Sequence, residues 1–156
     1  RTDTRIVLGG TSLSICEGPG HTPGSVVVLD ERSNRLFTGD AIGSGYGVWM
    51  QTPTAVPLET YYESLVHLLK WLVDRGGRMS FHGGHRYQMF QSTHVPSFNP
   101  PNLGLLCDLI DLVDQIVHGK IVGRISNVDN IMELEPVLYA AYGRAEIQYK
   151  ASNIKI

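Results

Sequence analysis

Thiols are scarce in this chain: 156 residues carry two cysteines, Cys16 and Cys107, set far apart. That spacing and number exclude the disulfide framework of a small secreted domain, and a reducing compartment, the cytoplasm, is expected. Charge is also thin. Charged residues make up 18% of the sequence, the net charge is -2 and the isoelectric point is near 6.3, with no cluster of Lys and Arg to track phosphates. Nucleic acid is therefore not an expected partner. No apolar run approaches the roughly 18 residues of a membrane span, and the opening RTDTRIVLGG is not a signal peptide. Two common catalytic signatures are missing as well. GSGYG after Asp40 lacks the spacing of a dinucleotide-binding loop, and no G-x-S-x-G elbow occurs.

What is present has ordinary globular composition, 42% hydrophobic, and predicts one domain over residues 1 to 156. The chain opens without an initiator methionine and enters an apolar strand pattern within a few residues, which predicts that the natural polypeptide begins earlier. TRIVLGG and TSLSICEG read as two strands, followed by a hairpin from Ser25 to Thr38. Leu58, Tyr61, Tyr62, Leu65, Leu68, Leu69 and Leu72 recur at helical spacing, with Gly76-Gly77 as the stop. RMSF reads as a short buried strand. Asn102 can cap a second helix whose stripe is Leu105, Leu106, Leu109, Leu112, Val113 and Ile116. KIVGRIS and AEIQYK read as closing strands.

The chemistry has to come from histidine. In GHTPGS, Pro23-Gly24 forms a turn, so His21 and Thr22 stand at a loop tip just before the strand from Ser25. The hairpin then returns the chain, through LFTGD, to the sheet edge where His21 lies. Imidazole and carboxylate at one edge are a start toward a zinc or iron site. His82 and His85, in SFHGGHRY, follow a strand into a Gly-rich loop, where a sheet edge presents side chains. Each piece has a plain structural reading as well: GHTPGS as a surface turn, Asp40 as a turn cap, His67 and His118 as helix residues. The Gly- and Pro-bearing loop AIGSGYGVWMQTPTAVP carries Tyr46 and Trp49, which either line a substrate cleft or pack the loop down.

The order GHTPGS, LFTGD, helix, then a strand ending in GGH resembles the C-terminal half of the metallo-β-lactamase-fold hydrolases, the group that includes glyoxalase II-like thioesterases. LYAAYGRAEIQYKASNIK is similar to their terminal strand region. The resemblance implies an α/β fold, the αββα sandwich, of which this chain carries the C-terminal sheet and its helices. The N-terminal half would be missing or on another chain. It further implies two divalent metal ions, zinc by expectation with iron or manganese as the alternatives. His21 would bind the first, Asp40 would bridge both, and His85 would bind the second. Thr22 and Ser25 would orient the His21 loop, and His82 would support a ligand. A hydroxide held by the metals would attack an ester or thioester of a small-molecule substrate. Two departures stand out: Gly83 replaces the usual proline, and the family's H-x-H-x-D-H motif is absent, since no two histidines here are two apart. The chain alone is thus expected to be inactive, completed by an N-terminal half or by self-association. A catalytically inert assembly module and an iron-dependent oxidoreductase on the same fold remain the alternatives.

Overall fold

The computed structural model describes residues 4–43, 47–85, 101–126 and 135–155. Among these residues two sheets and two long helices form. The first sheet is built from β1 (Thr4–Leu8), β2 (Thr11–Glu17), β3 (Val26–Asp30), β4 (Arg35–Gly39) and β6 (Ser80–Gly83), in the order β1-β2-β3-β4-β6. The first four strands are antiparallel neighbours, as the run of β-branched residues and short turns requires. The β3–β4 turn is held by Asp30, whose carboxylate accepts hydrogen bonds from Thr11 Oγ1 at 2.7 Å and Ser33 Oγ at 2.6 Å. These donors lower its pKa to about 2. Strand β6 is parallel to β4, and the helix α1 (Leu58–Asp74) lies between them in the chain. Parallel neighbours need such a crossover.

The second sheet, β5-β9-β8-β7, joins β5 (Val48–Trp49), β7 (Arg124–Ile125), β8 (Leu138–Tyr142) and β9 (Ala145–Tyr149). The sequence pattern places β9 well but leaves β5 inside a loop and β8 unassigned. Two residues give no periodicity, and β5 exists only because Met50 N–H and its neighbours find the edge of β9. The helix α2 (Leu103–Val117) starts where expected, with Asn102 Oδ1 accepting from Leu105 N–H at 3.0 Å.

The helices pack on each other, α1 beneath the first sheet and α2 against β8 and β9. Cys16, Val27, Leu29, Leu36 and Phe81 turn one face of the first sheet into this core, where they meet the stripe of α1. The opposite face is different. Ile6, Leu13, Ile15, Val26, Val28 and Phe37 share it by strand alternation and register, and no described helix covers it. Phe37 remains 45% exposed and Val26 43%.

The parallel β4–β6 pairing closes at its end through glycine. Gly39 has φ +50°, and Gly84 N–H donates to Gly39 C=O at 3.4 Å. A Cβ on Gly84 would stand 3.2 Å from Gly39 Cα, against backbone that has little room to yield. Gly84→Ala is therefore expected to destabilise the protein by about 1–3 kcal/mol, read as a lowered urea midpoint. An unchanged midpoint would show that this edge opens freely.

Candidate metal centre

Three segments reach one edge of the first sheet. Strands β4 and β6 run parallel, so Asp40 and His85 leave their ends on the same side. Strand β3 is antiparallel to β4, so the loop that precedes it, with His21, enters from that side too.

The structure brings two of the three together. His85 Nε2 stands 2.9 Å from Asp40 Oδ1. Oδ1 is buried, yet it accepts no hydrogen bond, so the two atoms are close without being aligned as donor and acceptor. A protonated imidazole would make this an ion pair. A neutral ring protonated on Nδ1 would turn a lone pair toward the same space as the carboxylate, as two ligands of one ion do. Two donors at about 2.0–2.1 Å from a tetrahedral zinc stand about 3.3 Å apart, so the two atoms are already a little closer than shared ligation would hold them. Nitrogen and oxygen donors suit zinc, iron and manganese alike, so the chemistry of the two residues fits part of a metal sphere.

His21 is not gathered with them. Among the described residues no three His, Cys, Asp or Glu side chains converge closely enough to hold an ion. His21 Nδ1 lies 2.6 Å from the Trp49 carbonyl oxygen. A carbonyl only accepts, so Nδ1 carries the proton, and in the neutral ring Nε2 keeps its lone pair. That arrangement orients a metal-binding histidine. The anchor is a backbone atom, which no sequence motif marks. It is itself fixed: β5 pairs with β9, and Asn153 Nδ2 donates to Met50 C=O at 3.3 Å and Val56 C=O at 3.1 Å.

Thr22 and Ser25 shape the loop. Their hydroxyls are hydrogen-bonded at 2.9 Å, and Ser25 N–H donates to Thr22 C=O at 3.2 Å. Thr52 Oγ1 donates to His21 C=O at 3.4 Å. His82 lies elsewhere, on the uncovered sheet face. Its ring is 5.5 Å from that of Phe37 and its Nε2 is 3.2 Å from Ser80 Oγ. Trp49 is 39% exposed. Tyr46, the other aromatic of that loop, falls outside the described residues. His118 ends α2, its Nδ1 2.9 Å from Asp114 C=O.

No curated protein sequence matches the chain at a significant level. Solved structures do. A metallo-beta-lactamase from Pontibacter korlensis is 22% identical over 72% of this chain and 46% of its own, with a TM-score of 0.49. ETHE1 from Myxococcus xanthus is 20% identical over 71% and 50%, with a TM-score of 0.46. An archaeal metallo-beta-lactamase superfamily protein from Sulfolobus tokodaii is 16% identical over 83% and 43%, with a TM-score of 0.42. The chain spans about half the length of the solved structures it matches. The sequence profile of one family covers residues 2–86, more than half of the chain and the span that holds His21, Asp40 and His85; the chain belongs to the metallo-beta-lactamase superfamily.

Proposed function

We propose that these residues form part of the metal centre of a hydrolase acting on an ester or thioester of a small-molecule substrate, in the glyoxalase II-like manner. The observation that carries the reading is the buried, unbonded Oδ1 of Asp40 with His85 Nε2 2.9 Å away. Asp40, His85 and His21 would hold divalent ions, two by family expectation and zinc before iron or manganese. A divalent ion held there supplies Lewis acidity toward a carbonyl and a lowered pKa for water.

The chain's own groups do the rest. Asp40 contributes the negative charge, and placing one of its oxygens out of water strengthens its pull on a cation. His21 is kept in one tautomer by the Trp49 carbonyl, so its free nitrogen is presented without rearrangement. The exposed Trp49 ring stands beside that anchor and would give the substrate an apolar surface. Three donors in two places are too few for two catalytic ions, each of which takes about three protein ligands. Where the described residues fall short, further donors would come from a partner segment, and the uncovered sheet face would offer it a place: an N-terminal half packed sheet on sheet, or a second copy of this chain. Cytoplasmic residence fits a chain with only two, widely separated cysteines. No described helix is long and apolar enough to cross a membrane, and nothing in the charge invites nucleic acid.

In the complete protein, His21→Ala, Asp40→Ala and His85→Ala should each reduce bound metal and thioester hydrolysis by tenfold or more, whereas His67→Ala, on α1, should change neither. Elemental analysis checks this; unchanged metal in all three variants sinks the ligand set. Stoichiometric iron with oxygen consumption would instead favour the oxidoreductase, and a metal-free complete protein the inert module.

Trp49→Ala keeps the carbonyl that holds His21 and removes only the ring. It should raise KM across an ester and thioester panel while metal content stays constant. A lowered melting temperature with the substrate profile intact would assign the ring to packing.

Residues 1–156 expressed alone should self-associate or bind a hydrophobic dye through the uncovered sheet face. A monomer by light scattering that binds no dye would overturn the paired-sheet reading.

A further inference from the structure

The His21 loop and the Asp40 turn come from different strands, yet a single side chain of α1 touches both. Tyr61 is fully buried. Its ring occupies the space where a side chain on residue 20 would project: a Cβ on Gly20 would lie 2.5 Å from two of its carbons, Cδ2 and Cε2. Its hydroxyl donates to the Ala41 carbonyl at 2.7 Å. Gly20 immediately precedes His21, and Ala41 immediately follows Asp40.

We propose that Tyr61 is a positioning residue for the metal centre, its ring setting the height of the His21 loop and its hydroxyl fixing the turn that carries Asp40. The inference rests on the metal reading above. Both halves of the phenol are needed for it. Filling the core under Gly20 requires only a ring, and phenylalanine would do that without bringing a hydroxyl into the interior, where it must find a partner. The partner it has is the carbonyl at the outer end of the Asp40 turn. That turn is otherwise closed by Ala41 N–H to Thr38 C=O at 3.0 Å and Gly43 N–H to Asp40 C=O at 3.2 Å. The ring side is equally fixed, because Val56 N–H holds Gly20 C=O at 3.0 Å and the loop cannot lift off Tyr61 without breaking that bond. Tyr61 is seated by its own N–H on Pro57 C=O in the first turn of α1. One helical residue thus sets two ligand-bearing segments relative to each other, as outer partners of metal ligands do.

The test is zinc affinity of the complete protein, by competition with a chromogenic chelator, together with the visible spectrum of the cobalt(II)-substituted form. Tyr61→Phe keeps the ring and should weaken zinc binding by roughly 10- to 100-fold and shift the cobalt bands, with the far-ultraviolet circular dichroism unchanged. Gly20→Ala should do the same from the ring side, and it decides the matter if Tyr61→Phe fails to fold. Tyr149→Phe is the control. It removes a different buried hydroxyl, one that accepts from Gly123 N–H at 2.9 Å, and should lower the melting temperature without moving affinity. A like loss of affinity in Tyr149→Phe would reduce the effect to general stability and overturn the inference. Equal zinc affinity in Tyr61→Phe and the unsubstituted protein would overturn it while leaving the metal reading intact. No zinc in the unsubstituted protein would overturn that reading and this inference with it.

Discussion

The site depends on β4 and β6 running parallel. Only that pairing sends Asp40 and His85 out of the sheet in the same direction, and it exists because α1 carries the chain back to the start of the sheet before β6 begins. An antiparallel return would put the two residues at opposite ends of adjacent strands. The close of the pairing is tight. Gly39 and Gly84 meet backbone to backbone, at a distance that a side chain on Gly84 would contest. The helix that makes the crossover is also the element that carries Tyr61, so one segment both orders the strands and braces the loops at their ends.

Within that frame the electrostatics of the edge are unusual for a protein surface. A carboxylate oxygen without hydrogen-bond partners is expensive to bury, and Asp40 Oδ1 is buried with a histidine nitrogen as its near neighbour. His21 shows the complementary device, a ring whose protonated nitrogen is committed to a carbonyl and whose other nitrogen is left available. The two devices come from different parts of the chain, and the second sheet matters because its short β5 supplies the carbonyl.

The first sheet buries one face on α1 and leaves the other uncovered by any described helix. On the uncovered face Val26, Val28 and Phe37 alternate with buried Val27, Leu29 and Leu36. By the same register Glu17, Asp30 and Arg35 share that face, so it is apolar only in part.

Much of this was legible in the sequence because it is local. The turn at Pro23-Gly24, the strand after it, the heptad-like spacing of α1 and the Asn102 cap are decided by neighbouring residues, and GHTPGS followed by LFTGD and GGH marks the family by order alone. Other features were not legible. Strand β5 has no periodicity of its own and forms only against β9. His82 and His85 are three residues apart in similar surroundings, yet one stacks on Phe37 and the other meets Asp40, since strand alternation and the end of β6 separate them. Tyr61 reads as one more apolar position of an amphipathic helix, and nothing in the sequence says that its hydroxyl reaches Ala41. What the sequence determined by itself was the set of elements and the chemistry they could carry, because short-range sterics and hydrogen bonding govern those. Which donors meet, which tautomer His21 adopts and which face stays open were decided by tertiary structure, because each depends on atoms brought together from distant parts of the chain.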